Sequence, residues 1–434
     1  MSNEDIVIVG AGFAGYHAAR RLAKRLRGTA RITVLNPTDY FLYLPLLPEV
    51  AGGVLEPRQI TVPLADTLSG VRIVLGQATG VDPAQRRVVY RDPEGRDGEL
   101  RYDRLLLTVG SVNKLLPVPG VADNAHGFRG LPEALYLRDH LIRQVEMAAA
   151  SDDPAERQAR CTVVVVGAGY TGTEVTAQGQ LLTVQVAARH PRLADVRPRW
   201  LLVDQGERIL AHLDRRLSDA ATRTLRGRGA EIRTGTSVSE ATAEGVHLDD
   251  GTFVASRTLV WCVGVRPDPL VDTIGLRTDQ GRLVVDAGLR VPDRPDVYAC
   301  GDAAAVPDRA RHGEFCAMTA QHAQRQGVLA ADNIIADLRH RRRRAYRHAG
   351  LGFAVDLGGR AAAANPLGVA LTGLPALAVT RGYHLAALPA NRVRTTAAWL
   401  FAAAGRRPDT QLGLVPSAAV PLDTADPEVA HTGT

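Results

Sequence analysis

Ile6-Val7-Ile8-Val9-Gly10-Ala11-Gly12-Phe13-Ala14-Gly15 opens the chain, and Val163-Val164-Val165-Val166-Gly167-Ala168-Gly169-Tyr170-Thr171-Gly172 repeats its pattern further on. Each stretch is a run of β-branched residues, a glycine turn and a helix start, the context in which GxGxxG reads as a dinucleotide-binding fingerprint. The first glycine permits the tight turn, the second lets the backbone approach a pyrophosphate, and the third lets helix pack on strand. Amide N–H groups and the helix dipole then point at the phosphates. Two such units imply two dinucleotides. Two glycine-rich turns in an ordinary α/β sheet are the plainer alternative.

The 434 residues are too many for one core and predict two or three domains, and 45% hydrophobic with 23% charged residues is ordinary globular composition. Part of the net charge of +6 sits in Arg339-His340-Arg341-Arg342-Arg343-Arg344. Such a run meets anionic lipid or is a solvated helix end, and without interleaved aromatic residues it does not predict nucleic-acid binding. Cys161, Cys262, Cys300 and Cys316 form no CxxC spacing. Neither a zinc site nor a redox disulfide is expected, and all four read as packing residues. The first residues carry no basic, apolar leader, so a cytoplasmic location is expected.

After the first glycine turn, residues 14–27 read as a helix and Arg31 to Leu35 as a strand, completing a βαβ unit. A carboxylate usually closes that second strand to take the ribose hydroxyls. Asn36 stands there instead, able to hydrogen-bond without charge, with Asp39 slightly beyond. Residues 39–50 are aromatic, apolar and proline-stiffened, and either wall a flat ring system or belong to the core. Strands follow near 71–75, 87–90 and 104–109, the last ending at Gly110.

A helix over Leu131 to Ala150 and a polar break at Ser151 to Pro154, read as a linker, precede the second fingerprint. Its second strand, Trp200 to Val203, ends at Asp204, where a ribose-binding carboxylate belongs. A carboxylate there favours free hydroxyls and repels a 2′-phosphate, so NADH is expected over NADPH; a helix-capping aspartate is the alternative. Strands near 246–248 and 259–263 finish this unit. Val297 to Ala304 then reads as a strand ending in Gly301-Asp302 before a helix, an aspartate suited to a ribityl chain with the helix amino terminus near its phosphate.

From about residue 345 the chain becomes rich in Ala, Gly, Leu and Pro. Ala361 to Thr380 approaches the length of a membrane span, but Pro366, Pro375 and two glycines, Gly368 and Gly373, argue against one. Thr395 to Ala404, with Trp399, Leu400 and Phe401 flanked by Arg392, Arg394, Arg406 and Arg407, reads as an interfacial amphipathic helix or a subunit contact.

This order of parts resembles the two-dinucleotide flavoprotein reductases, and within them the type II NADH dehydrogenases that pass electrons from NADH to membrane quinone. The resemblance covers roughly residues 4–345 and rests on both fingerprints, Pro45 to Val50, Thr108-Val109-Gly110, Trp261 to Pro267, Gly301-Asp302 and Ala320-Gln321-His322-Ala323. It implies an α/β fold of two Rossmann-like domains, the second inserted in the first. FAD would occupy 1–115 with 276–345, NADH would occupy 155–275, and 346–434 would be a membrane-associating or dimerisation region. FAD would be held through Gly10, Gly12, Gly15 and Asp302, with Asn36 at the ribose, and NADH through Gly167, Gly169, Gly172 and Asp204. Gly110 and Gly264 complete the cofactor-binding set.

By the same resemblance Glu174 lies near the nicotinamide, orienting it or relaying a proton, although an acid near a helix start also serves the dipole. The quinone site of this family lies on a helix reading Ala-Gln-x-Ala with a second glutamine one turn on. Gln321 matches the first, Arg325 stands at the second, and Gln326 is rotated by about a hundred degrees. Hydride would pass from NADH to the flavin and two electrons onward to quinone, with Arg325 stabilising negative charge; peripheral attachment to the inner face of the cell membrane and a homodimer are further expectations. A disulfide reductase needs a cysteine pair near residues 40–53 and finds none. A sulfide:quinone reductase would use Cys161 and Cys316, and a ferredoxin reductase would present a basic docking surface.

Overall fold

In a computed structural model of the chain, residues 4–311, 313–348 and 350–422 are described; 1–3 and 423–434, the end of the expected C-terminal region, lie outside them. The chain divides into two compact units. The first comprises Met1–Leu42, Thr61–Val112 and Val265–Gly350, the second Tyr43–Ile60, Asn113–Gly264 and Leu351–Thr434.

The first unit is built on a parallel sheet in the order Val297–Ala299, Arg104–Leu107, Glu4–Val9, Ala30–Asn36, Arg72–Leu75. Ile6 to Val9 are almost wholly buried, as a central parallel strand covered on both faces requires. Helix Phe13–Leu26 buries Ala14, Ala18, Ala19, Leu22 and Leu26, one helical stripe, and ends at Arg27 in the left-handed region. Helix Ala320–Leu338 packs along it so closely that a Cβ on Gly327 would lie 2.1 Å from the Ala14 carbonyl oxygen.

The Gly301-Asp302 element departs from the sequence reading. Strand Val297–Ala299 runs into a short 3-10 turn, Gly301–Ala303, and a further strand, Ala304–Ala305. The long helix starts only at Ala320, so no helix amino terminus follows directly on Asp302.

The second unit repeats the arrangement with Ala125–Gly127, Thr258–Trp261, Thr162–Val166, Arg199–Asp204 and Glu231–Thr234, again all parallel. Helix Tyr170–Ala187 crosses this sheet over Trp200, which is fully buried and donates its indole N–H to Thr183 Oγ1 at 3.0 Å. Only a glycine fits where that ring passes, since a Cβ on Gly179 would meet it at 2.2 Å.

The polar break at 151–154 lies inside this unit, not between units. Asp153 caps a short helix, Pro154–Arg160, by accepting from the Ala155 amide at 2.9 Å. Residues 361–380 form strand Ala362–Ala364, strand Leu371–Thr372 and the start of helix Gly373–Ala387. No helix among the described residues is long and apolar enough to cross a membrane. Helix Arg392–Ala404 exposes Val393, Leu400 and Phe401 but turns Trp399 inward, so Trp399 is not part of the outer apolar face expected for it.

Candidate functional site

In the first unit the fingerprint residues gather at the carboxyl ends of adjacent parallel strands, where open α/β sheets bind ligands. Gly10 sits at φ +93°, and a Cβ on it would lie 2.5 Å from the Thr108 carbonyl oxygen; one on Gly15 would lie 1.8 Å from that of Gly10. A Cβ on Gly12 would meet nothing within 4 Å. The turn is thus closed at its first and third glycines and open at the second, where a pyrophosphate needs to approach. Asn36 holds it. Its Oδ1 accepts from the Ala11 amide at 2.7 Å, and its Nδ2 donates to the Thr38 carbonyl at 2.9 Å.

Asn36 therefore keeps acceptor capacity on Oδ1 for a ribose hydroxyl, while both of its N–H groups face Thr38. On the neighbouring strands Ser111, next to Gly110, donates its hydroxyl to Asp302 Oδ2 at 2.7 Å, which joins those two expected positions. These residues fit a dinucleotide bearing a ribityl chain.

The second unit has the same construction. Cβ atoms on Gly167 and Gly172 would lie 2.3 and 1.9 Å from the carbonyl oxygens of Cys262 and Gly167, whereas one on Gly169 would meet nothing within 4 Å. Asp204 Oδ2 accepts from the Ala168 amide at 2.5 Å and Oδ1 from Gly206 at 2.7 Å. It caps no helix; it clamps the glycine turn, and lone pairs remain on both oxygens for a ribose diol. Gly264 closes the neighbouring strand end, its carbonyl accepting from the Lys114 amide at 3.0 Å.

Glu174 lies beyond the first turn of helix Tyr170–Ala187, which holds no acid, so dipole service does not explain it. Its Oε1 accepts from the Asp356 amide at 2.9 Å. Desolvation raises its carboxyl well above the ordinary glutamate value, and the Asp356 and Glu49 carboxyls add to the shift. Burial likewise pushes Glu49 up to about 8 and raises Asp356.

Sequence reading had not singled out this cluster. Trp399 Nε1 donates to Glu49 Oε2 at 2.5 Å, and Gln178 Nε2 to Asp356 Oδ1 at 3.1 Å. Arg407, its guanidinium lowered by burial to about 10, donates to the Gly52 and Gln178 carbonyls at 2.8 and 2.9 Å. A visible signal was Glu49, an acid set among apolar residues near the end of the segment, at Pro48-Glu49-Val50. Another was Gln178, one helical turn after Glu174 and on the same face.

Gln321 and Arg325 meet on the first turns of helix Ala320–Leu338, where Arg325 Nη1 donates to the Gln321 carbonyl at 3.0 Å. Gln326 points elsewhere: it is buried, and its Oε1 accepts from the Gly301 amide at 2.9 Å. Cys161 and Cys316 are buried thiols that desolvation pushes up to about 11, which suits packing and not nucleophilic chemistry.

Residues 4–327 match the pyridine nucleotide-disulphide oxidoreductase family. The type II NADH:quinone oxidoreductase Ndh of Mycobacterium tuberculosis is 31% identical over 69% of this chain and 67% of its own length. The demethylphylloquinone reductase NdbB of Synechocystis is 29% identical over 88% and 92%. In fold, the chain resembles NDH2 from Plasmodium falciparum in complex with NADH, with a TM-score of 0.87 at 17% identity, covering 94% of this chain and 100% of that one. With its two glycine cradles and these relatives, the chain belongs to the pyridine nucleotide-disulphide oxidoreductase family, among the type II NADH dehydrogenases.

Proposed function

We propose that the chain is an FAD-dependent NADH:quinone oxidoreductase that pumps no protons. The observation that carries this reading is the pair of glycine turns, each open only at its middle glycine and each clamped by the residue ending the next strand. The first cradle takes FAD through Gly10, Gly12, Gly15, Asn36, Gly110 and Asp302. The second takes NADH through Gly167, Gly169, Gly172, Asp204 and Gly264. Residues 1–115 with 276–345, and 155–275, are the stretches assigned to the two cofactors.

Bound FAD supplies the redox chemistry, accepting hydride from NADH and passing two electrons to the quinone. The side chains bind, orient and hold protons. Asp204 receives the ribose hydroxyls of NADH and repels a 2′-phosphate. Burial holds the Glu174 carboxyl well above the ordinary glutamate value, which favours its neutral form, and with Oε1 taken by the Asp356 amide, Oε2 is the oxygen left to orient the nicotinamide or relay a proton. Gln321 hydrogen-bonds the acceptor, and Arg325, anchored through one N–H to the Gln321 carbonyl, keeps others for negative charge developing on it.

Helix Arg392–Ala404 exposes Val393, 83% accessible, with Leu400 and Phe401, and Arg392, Arg394 and Arg406 flank them. Apolar side chains ringed by arginine suit an anionic membrane surface better than a second copy of the chain, so within the C-terminal region this helix is assigned to lipid.

Steady-state NADH oxidation by the FAD-loaded protein, with a soluble quinone analogue, with oxygen alone and with NADPH in place of NADH, tests the reading. Turnover that requires both NADH and quinone, and that falls in Gln321→Ala, is the expected result. Flavin reduction by NADH without quinone dependence refutes the acceptor assignment while leaving both cradles standing.

A further inference from the structure

A cavity of 290 Å³ in the first unit lies between the last turns of helices Phe13–Leu26 and Ala320–Leu338 and the chain that follows the second. Its lining carries six guanidinium groups, from Arg21, Arg25, Arg339, Arg341, Arg342 and Arg344, and one carboxylate, Asp332. The arginine run is not a loose tail. The Arg341 amide donates to the Ala336 carbonyl at 2.7 Å, and buried Asn333 holds Arg344 by its backbone on both sides, at 2.9 and 2.8 Å.

Asp332 fixes two of the six. Arg21 meets it through Nε at 2.7 Å and Nη2 at 3.1 Å, and Arg344 through Nη2 at 2.7 Å. Arg343 turns away, to Asp286 and Asp337. Among the described residues, Arg25, Arg339, Arg341 and Arg342 have no acidic partner.

A solvated helix end explains only part of this. The two helix carboxyl termini supply about half a negative charge each, and Asp332 supplies one. About four positive charges remain around a concave surface, where the field of like charges adds. Guanidinium forks match phosphate oxygens two at a time, and several forks around one cavity match several phosphate groups. The volume lies at the lower edge of small-molecule sites, about 300 Å³ and above, which suits a compact anion.

We propose that this arginine-lined cavity binds a soluble oligophosphate, as the free ion or as the di- or triphosphate group of a nucleotide. Calorimetric titration of the FAD-loaded protein with sodium tripolyphosphate, at roughly physiological salt to suppress unspecific attraction, tests it. The expected result is one saturable site per chain, weakened at least roughly tenfold in Arg341→Glu/Arg342→Glu. Arg215→Glu/Arg216→Glu, an equal change of net charge at exposed positions elsewhere, should leave binding intact. NADH oxidation should be the same in both variants.

Absence of a saturable site, or equal weakening in the two variants, overturns the proposal. So does a third result: no tripolyphosphate site, but binding to phosphatidylglycerol vesicles that is lost only in Arg341→Glu/Arg342→Glu. That outcome assigns the arginines to lipid headgroups.

Discussion

Replacing Asp204 with Asn removes a charge while keeping the shape of the side chain, and its consequences follow from two contacts and from the ribose assigned to it. Both carboxylate oxygens face backbone donors, Ala168 at 2.5 Å and Gly206 at 2.7 Å. An amide can serve only one of them, so one N–H loses its acceptor at about 1–3 kcal/mol, and the glycine turn loosens for either nucleotide. Hydrogen bonds from the NADH ribose to a charged acceptor are worth about 1.5–3 kcal/mol, so kcat/KM for NADH should fall roughly 10- to 150-fold. With NADPH a second effect opposes this loss. A doubly charged 2′-phosphate at about 5 Å from a carboxylate is repelled by roughly 1–2 kcal/mol in water, and Asp204→Asn removes that repulsion.

The loosened turn affects both nucleotides, so it cancels in the ratio of their kcat/KM values. That ratio should move toward NADPH by roughly two orders of magnitude. Steady-state kinetics with both nucleotides at fixed quinone measures it, and flavin absorbance verifies that the first unit remains loaded. A ratio unchanged within about threefold, in protein that keeps its FAD, would show that Asp204 clamps the turn without reading the ribose.

Gly12→Ala should fold and melt like the parent but lose bound FAD on gel filtration, because its Cβ meets only open space, whereas Gly15→Ala should lower the melting temperature of the FAD-free protein, its Cβ falling 1.8 Å from a carbonyl oxygen. Equal effects of the two would refute the division of roles among the glycines. Asn36→Asp sets a carboxylate oxygen 2.9 Å from the Thr38 carbonyl in place of a donor, and should cost about 1–3 kcal/mol in chemical denaturation; a more stable variant would mean that the turn wants charge there. Folded Glu49 keeps its proton to about pH 8, while an unfolded glutamate releases it near 4.5. The folded state therefore binds more protons across that window, and stability declines as pH rises through it, by up to about 1.4 kcal/mol per pH unit. Glu49→Gln, still an acceptor for Trp399, should flatten the decline of melting temperature between pH 5 and 8, and an unchanged slope would show that Glu49 is ionised in the folded protein.

What was legible in the sequence is what short stretches determine. Residues 14–27 and 131–150, read as helices from periodicity, are Phe13–Leu26 and Leu131–Ala150, and each glycine turn follows the strand that its β-branched run predicts. The break at 151–154 was misread because Ser, Asp and Pro punctuate a helix cap within a unit as readily as a junction between units. Gly301-Asp302 was misread because a strand end followed by alanines resembles a helix start, whereas Ala304–Ala305 pair with Leu283–Val284 as a strand. The acid cluster left only faint signals, Glu49 among apolar residues and Gln178 one turn after Glu174, for another reason. Glu49, Glu174, Gln178, Asp356 and Arg407 are scattered over most of the chain, and no local pattern marks which carboxylates tertiary packing will desolvate together.

The same hydrogen bond organises both cradles, and it separates two tasks that a motif merges. Asn36 Oδ1 and Asp204 Oδ2 each accept from the amide between the first two glycines, at 2.7 and 2.5 Å. Holding that one amide needs a single acceptor, which an amide side chain supplies as well as a carboxylate, although Asp204 holds the Gly206 amide besides. Charge matters only for the ribose, where a carboxylate can accept from both hydroxyls and repel a phosphate. An asparagine at the end of Ala30–Asn36 therefore leaves the geometry of the first cradle intact, and the missing acid is no argument against a dinucleotide there. On the proposed reading, the acid of the second cradle stands where NADH is told from its 2′-phosphorylated form at each turnover, a demand that a permanently held cofactor does not make.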